Sequence, residues 1–509
     1  MRRLTGFSRR ILVVCTIVVS TTAVAADLDG VAPVRSDLTP PDLARVGAVT
    51  RPAGDFSKAE PFETMQGGAG TSKKRADANA FSYPPANLTF EQRGTFGLGE
   101  ALFRKLWVSA PSSTQASDGL GPLYNARACD ACHVNNGRGH PPEAGPTSML
   151  LRLARAASTA EEQAKIAGHE VLNFPDPVYG RQLQELAVPG AAGEGRMAIR
   201  YEERPVTLGD GGVVSLRKPS YAVENPTYGP LDPKTRLSPR MASPLIGLGL
   251  VEQIDPADIL AHADPDDADG DGISGKAAIV RDPIGGKPTL GRFGWKAEQA
   301  TIRQQAADAL ADDIGISSPE APRHWGDCTA AETACRALPT GVQARLGDTE
   351  APAPVIDLIT FYTQNLAVPA RRGVGDSKVL EGKQAFYEMG CAACHTPKFV
   401  TRRDAPEKAQ AFQLIWPYSD FLLHDMGDGL ADGQQVGMAS GNEWRTPPLW
   451  GIGLTRTVGG HAFFLHDGRA RSLTEAILWH GGEGQKARDR FADAPAAERA
   501  ALIKFLESL

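Results

Sequence analysis

Two Cys-x-x-Cys-His segments stand out among the residues that could do chemistry. The first is Cys-Asp-Ala-Cys-His at 129–133 and the second is Cys-Ala-Ala-Cys-His at 391–395. In this spacing two thiols can bond the vinyl groups of a haem, while the adjacent imidazole reaches the iron as an axial ligand. A zinc half-site or a redox dithiol is the usual alternative for a lone Cys-x-x-Cys. Both pairs carry the trailing histidine, and no third Cys-x-x-Cys is present, so we predict two covalently bound haem c groups. Their attachment points and iron ligands are Cys129, Cys132, His133, Cys391, Cys394 and His395.

The first 25 residues have the pattern of an export signal. Four arginines within residues 2–10 precede an apolar run at 11–19 and an Ala-Val-Ala at 23–25. This pattern predicts a signal peptide over 1–25 and a periplasmic protein. The apolar run is too short to cross a bilayer, so we expect no membrane span.

Composition narrows the possible partners and the state of the remaining thiols. A net charge of −6 argues against nucleic acid as a partner. Cys328 and Cys335 are left over in an oxidising compartment, which favours a short-loop disulfide over a redox-active pair.

Apolar residues at helical spacing indicate how the chain is organised. Each motif follows a helix-like segment, at 99–103 and 382–386, and each half closes on another, at 355–366 and 502–509. We therefore predict a mainly α protein with two class I cytochrome c-like domains, at 91–368 and 377–509. The first would carry a long loop- and β-containing insertion at about 145–290. Residues 26–90, rich in Pro, Gly and Ser, are predicted to form an extended arm or a partly disordered leader.

An acidic loop follows in the predicted insertion. Asp267, Asp269 and Asp271 alternate before Gly272, as in the first half of an EF-hand-type calcium loop. The closing glutamate is absent, so another acid such as Asp264 or Asp266 would have to complete the shell. A solvated acidic turn is the alternative to the calcium ion that we predict.

A second histidine is a candidate ligand for the second iron. His480 falls on the apolar face of a helix that a Ser-Leu-Thr-Glu capping box starts at 472. A buried core histidine is the alternative. His466 precedes that helix and could contact a haem propionate or an Arg–Asp network. His140 lies too close to His133 to reach the opposite haem face, so the first iron is expected to be five-coordinate or water-bound.

The chain resembles the di-haem oxidoreductase family, a group related to bacterial di-haem cytochrome c peroxidases and methylamine-utilisation di-haem enzymes. The signs are the acidic loop and the segments at 290–297, 423–427, 445–450 and 464–483, within a match over most of 90–509. The resemblance implies that Trp295 is the tryptophan between the haems and that Gln305 is a distal amide. The catalytic acid has no clean match, but Asp312 and Asp313 lie nearby, and Asp313 is the candidate. His480 stands where the peroxidases usually have Met, so their division of haem potentials does not carry over.

The resemblance implies a peroxidase-like enzyme. Peroxide, or oxygen, would react at the first haem, with electrons passing through Trp295 and the second haem. A cytochrome c or cupredoxin would be the small donor protein. An electron-transfer protein without its own catalysis is one alternative. Oxidation of an organic, thiol or ferrous substrate is the other.

Overall fold

A computed structural model describes residues 34–115, 117–144, 148–282 and 286–509. The predicted signal peptide at 1–25 lies outside these residues. The helices of the described chain are α1 (Pro40–Thr50), α2 (Phe90–Phe103), α3 (Ala160–Ala167), α4 (Leu248–Glu252), α5 (Pro256–Leu260), α6 (Ile302–Ala309), α7 (Thr333–Arg336), α8 (Ala353–Gln364), α9 (Ser377–Glu388), α10 (Thr455–Gly459), α11 (Leu473–Leu478), α12 (Gln485–Asp493) and α13 (Ala496–Ser508). A single π-helical turn, Leu310–Ile314, continues α6.

The strands pair two by two. They are β1 (Val108–Ser109), β2 (Asp118–Leu120), β3 (Leu123–Tyr124), β4 (Met149–Arg155), β5 (Leu186–Ala187), β6 (Arg196–Thr207), β7 (Val213–Glu224), β8 (Thr235–Met241), β9 (Ile279–Arg281), β10 (Pro288–Leu290), β11 (Phe399–Val400), β12 (Leu414–Ile415), β13 (Leu423–Asp425) and β14 (Glu443–Arg445). The longest pairs are antiparallel: β6 with β7, and β4 with β8. The β1–β2 pair is parallel.

The prediction of a mainly α protein built from two class I cytochrome c-like domains is wrong. The structure is 30% helical and 17% strand, with many small sheets, and gives no positive sign of two such domains. Many strands are only two or three residues long and pair with distant segments, so no local periodicity in the sequence predicts them. The long β6–β7 and β4–β8 pairs fall in the segment predicted as a loop- and β-containing insertion.

Two helix pairs support the Cys-x-x-Cys-His motifs in the same way. Helix α2 packs on α8, and α9 packs on α13. A Cβ added at Gly99 would overlap the carbonyl oxygen of Leu358, and one at Gly382 would overlap that of Ala501. Each glycine therefore allows two helix backbones to approach closely, in the helix that precedes each motif.

The segment predicted as an N-terminal arm contains α1 and is tied to the rest of the chain by buried ion pairs. Lys383 Nζ lies 2.7 Å from Glu60 Oε2 and 2.9 Å from Glu63 Oε1. Arg371 also pairs with Glu63. These contacts hold residues 60–63 against α9, the helix that leads to the second motif.

We predict that Gly99→Ala lowers the free energy of unfolding by about 1–3 kcal/mol, because the new methyl group must push α2 away from α8. Gly97→Ala is the matched control in the same helix, since nothing lies within 4 Å of a Cβ at that position. The control should raise stability by about 0.5–1 kcal/mol through helix propensity. Urea denaturation measures both. Equal effects of the two substitutions would contradict the close-contact role of Gly99.

Candidate functional site

The first motif places a neutral imidazole beside two free thiols. Residues Cys129–Ala131 form one 3₁₀ turn, and both thiols are unbonded. His133 Nδ1 lies 2.9 Å from the carbonyl oxygen of Ser243. Since that carbonyl can only accept, Nδ1 carries the proton and Nε2 keeps its lone pair. Burial lowers the pKa of His133 to about 4, so the ring is neutral at pH 7.

The second motif repeats this arrangement. Residues Cys391–Ala393 form a 3₁₀ turn with free thiols, and His395 Nδ1 lies 2.9 Å from the carbonyl oxygen of Tyr418. Burial lowers the pKa of His395 to about 4 as well. A phenylalanine from the preceding helix lies near each ring, with centroid distances of 6.2 Å for Phe103 and 6.3 Å for Phe386. Both histidines are thus fixed as neutral rings with Nε2 available to a metal.

The thiols of both motifs are held in their neutral form. Burial raises the pKa of Cys129, Cys132 and Cys391 to about 12, and it also raises the pKa of Cys394. A redox dithiol acts through a thiolate, which these surroundings disfavour. The chemistry of this donor set fits thioether attachment of a haem better than dithiol exchange.

A cavity of about 520 Å³ opens beside the second motif. This volume lies within the range of about 300–1,000 Å³ that is usual for small-molecule and cofactor sites. Its walls include both thiols, His395, and apolar side chains such as Phe386 and Leu449. The combination of thiols, an imidazole and apolar walls fits a haem.

His480 lines the same cavity as His395. Ser472 caps α11 by accepting from the Glu475 amide at 3.1 Å, and His480 follows the end of that helix. Its Nδ1 lies 2.8 Å from the carbonyl oxygen of Ala476, which leaves Nε2 free. Burial lowers the pKa of His480, so this ring too is neutral.

Trp295 forms part of the cavity wall and belongs to an aromatic group. Its Nε1 donates to the carbonyl oxygen of Met241 at 2.8 Å. The His466 ring lies 6.4 Å from the Trp295 ring and stacks on Trp444 with 3.7 Å between centroids. The guanidinium of Arg138, five residues after the first motif, lies 5.6 Å from the Trp295 ring. Trp295 therefore packs near the loop that follows the first motif and also lines the cavity of the second.

His466 lies in this cavity wall as well, beside the Arg–Asp pair that the sequence suggested. Its Nε2 is 3.7 Å from Asp467 Oδ2, and Asp467 is held by Arg469 at 2.8 Å. Burial lowers the pKa of His466 to about 3. The ring is neutral, and its Nε2 has no hydrogen-bond partner among the described residues.

Asp313 lies on the π-helical turn after α6, and its carbonyl oxygen accepts from the amides of Asn125 and Ala126, just before the first motif. Burial raises its pKa to about 6, against the opposing charge of Arg152. Gln182 Nε2 donates to Asp313 Oδ1 at 2.9 Å. Its negative charge also contributes to the raised pKa of Cys129.

Asp312, the acid next to Asp313, and Gln305, the predicted distal amide, differ from Asp313 in their surroundings. Burial would raise the pKa of Asp312, but Arg323 and Arg152 outweigh it and lower the pKa. Asp312 is therefore a fixed anion, bonded to Arg152 at 2.9 Å and to Arg323 at 2.6 Å. Gln305 is half-buried on α6, and its neighbour Gln304 uses its side-chain oxygen to accept from the Ala300 amide.

The acidic loop gathers three carboxylates. Oxygen atoms of Asp264, Asp267 and Asp269 all lie within 4.8 Å of one another. Asp271 lies outside this group, and its Oδ1 accepts from the Ile273 amide at 2.7 Å. Of the two acids that could complete the set of Asp267, Asp269 and Asp271, Asp264 is therefore the one that lies with the clustered carboxylates.

The acidic loop is anchored next to the second cavity. The hydroxyl of Ser274 donates to Glu483 Oε1 at 2.6 Å. Glu483 in turn lies 2.6 Å from His424 Nδ1, and His424 Nε2 lies 2.8 Å from Asp420. Burial alone would lower the pKa of His424, but the Asp420 and Glu483 carboxylates raise it well above its usual value. A protonated His424 is a poor iron ligand.

Three groups at these sites escape sequence reasoning. The carbonyl oxygens of Ser243 and Tyr418 belong to the backbone, so no side-chain pattern reveals them. Arg138 could have been noticed as a cation in a Gly-Arg-Gly loop close behind the first motif.

The remaining cysteines, Cys328 and Cys335, form a disulfide with 6.2 Å between their Cα atoms.

Comparison with known proteins places the chain in a family. Among the described residues, no helix is both long enough and apolar enough to cross a membrane. A search of curated proteins found no match. The profile of a family described as "Di-haem oxidoreductase, putative peroxidase" matches residues 62–509. That match takes in both motifs, the acidic loop, Trp295 and His480. The chain belongs to the di-haem oxidoreductase family.

Proposed function

We propose that the chain is a periplasmic c-type di-haem enzyme of peroxidase type, with a haem covalently attached at each Cys-x-x-Cys-His motif. One observation carries the proposal: His133 and His395 each direct Nδ1–H to a backbone carbonyl, so the neutral ring keeps its lone pair on Nε2. This is the arrangement that a metal-binding imidazole requires. The arginine-rich, apolar start of the sequence supports export to the periplasm.

The second site is the proposed entry point for electrons. His395 and His480 would both hold the iron, because both line one cavity and each has Nδ1 bonded to a backbone carbonyl, which leaves the lone pair on Nε2. A bound haem supplies one-electron transfer and, where one axial position is open, reduction of a small oxidant. A small redox protein such as a cytochrome c or cupredoxin is the proposed donor.

The first site is the proposed place of peroxide reduction, or of oxygen activation. Asp313 would accept the proton of the incoming peroxide and return it to the leaving oxygen. Its pKa of about 6 suits both roles near neutral pH. Gln182 would hold the carboxyl in place through its 2.9 Å hydrogen bond. Trp295 would connect the two sites, and Gln305 would offer an amide on the distal side.

A calcium ion in the acidic loop is a further part of the proposal. Three clustered carboxylates repel one another unless a cation lies among them, and calcium prefers such hard oxygen ligands. Asp264, Asp267 and Asp269 are the proposed ligands, with Asp271 as a ligand that must reorient. The bond between Ser274 and Glu483 would carry the rigidity of this loop to the segment after His480.

We predict two c-type haems per chain. In a pyridine haemochrome assay, Cys129→Ala with Cys132→Ala should remove one haem, and Cys391→Ala with Cys394→Ala should remove the other. The control, Cys328→Ala with Cys335→Ala, removes two cysteines that form a disulfide and should keep both haems. A colourless or zinc-loaded native protein would overturn the proposal.

We predict that Asp313→Asn lowers kcat/KM for H₂O₂ with a reduced cytochrome by roughly 10²–10⁴-fold, the usual contribution of a positioned acid–base group. In the native enzyme kcat/KM should rise as the pH passes about 6, because only the ionised carboxylate can accept a proton. The substituted enzyme should lose this rise.

The control for Asp313 is Asp308→Asn, one turn earlier. Burial also raises the pKa of Asp308, but its carboxylate accepts from Gln299 at 2.6 Å and has no role in the proposal. This variant should keep the pH profile of the native enzyme. A native protein that transfers electrons but never turns over peroxide would instead favour a relay or an oxidase of another substrate.

We predict that Asp264→Asn weakens calcium binding at least about tenfold, which is about 1.4 kcal/mol. Asp266→Asn removes the same charge from an exposed position outside the carboxylate group, so it should change the affinity little. Isothermal titration of calcium into chelator-treated protein measures both. Equal losses in the two variants, or no binding by the native protein, would argue for a solvated turn.

A further inference from the structure

The wall of the second cavity contains a cation that comes from the first motif's loop. Arg138 follows His133 by five residues, yet it lines the cavity together with Cys394 and His395. The backbone holds it there, since the carbonyl oxygen of Arg138 lies 3.1 Å from His461 Nε2. The loop of one motif therefore contributes directly to the binding site of the other.

Arg138 is buried without an anionic partner. It is 8% exposed, and its only hydrogen bond among the described residues runs from Nη1 to the carbonyl oxygen of Leu465 at 3.1 Å. Its Nε atom has no partner there, and no carboxylate of the described chain forms an ion pair with it. The guanidinium lies 5.6 Å from the Trp295 ring and 6.0 Å from the Phe464 ring. The two rings attract the guanidinium only modestly, whereas burying a charge without an anion is costly, so this position is suited to an anionic partner.

Other buried arginines of the described chain have hydrogen-bond or ion-pair partners for their guanidinium groups. Arg292 donates Nη1 to three backbone carbonyls. Arg371 pairs with Glu63, and Arg469 pairs with Asp467. Within the described chain Arg138 bonds to the carbonyl of Leu465 and to no carboxylate, and unlike Arg292 it lines a cavity.

We propose that Arg138 is a positioning residue whose guanidinium pairs with a carboxylate of the haem in the second cavity. This inference rests on the proposed haem attachment. A haem attached through its vinyl groups has its two carboxylate side chains at the opposite edge. Segment 389–395 bears the thiols, whereas the contacts of Arg138 belong to other segments, around Trp295 and residues 461–465. A planar guanidinium is well suited to a carboxylate, and its free Nε can donate to one.

The pairing of Arg138 with the haem carboxylate would affect the midpoint potential of the second haem. A cation near the haem favours the reduced form, which carries one positive charge less, and so raises the midpoint potential. It also holds the haem carboxylate ionised, so the potential should not change with pH near neutrality. Since Arg138 belongs to the loop of the first motif, the same contact links the two haem sites mechanically.

The test compares Arg138→Gln with Arg138→Lys and with Arg292→Gln, a buried arginine outside the cavity. Haem content is measured first by pyridine haemochrome, so that a failure of haem attachment is recognised separately. Spectroelectrochemical titrations between pH 5 and 8 then follow the low-spin second haem by its EPR signal. We expect Arg138→Gln to shift its midpoint downward and to make it pH-dependent, with Arg138→Lys intermediate and Arg292→Gln unchanged.

A native midpoint and a flat pH profile in fully loaded Arg138→Gln would overturn the proposal, as would a shift confined to the first haem. If Arg138→Gln does not fold, resonance Raman spectra of the native protein and Arg138→Lys decide. The propionate-bending band of the second haem should shift when the guanidinium is replaced. An unchanged band would overturn the pairing.

Discussion

Two hydrogen bonds from imidazole Nδ1 to backbone carbonyl oxygens are the constraint on which the sites depend. Each bond fixes the tautomer and the orientation of one ring, and burial keeps that ring neutral. The acceptors lie in loops outside the motifs: Ser243 follows β8, and Tyr418 adopts a positive φ of 54° in a loop after β12. Much of the irregular structure between helices thus serves to bring these two carbonyls to the histidines.

The two motifs share one surrounding structure. The second cavity takes Arg138 and Trp295 from the first part of the chain, and His395 and His480 from the last part. The acidic loop reaches the same region through Ser274 and Glu483. Such interlocking explains why the fold departs from two separate helical units: many short strands and loops must cross between the motifs to build each site.

Sequence reasoning succeeded where chemistry depends on side-chain type at short spacing. The motifs at 129–133 and 391–395 and the resemblance at 290–297 and 464–483 predicted the family that the profile match shows. It failed for the fold class, because strands such as β11 and β12 form only when distant segments meet. The backbone acceptors at Ser243 and Tyr418 were equally invisible. A backbone carbonyl exists at every position, and only the fold decides which one faces a histidine.

The most direct test of this account is anomalous diffraction at the iron absorption edge from crystals of the purified protein. We expect two iron peaks, one within bonding distance of His133 Nε2 and one within bonding distance of His395 Nε2, with both Nδ1 atoms still bonded to carbonyls. A single peak, a zinc edge in place of iron, or coordination through Nδ1 would contradict the account.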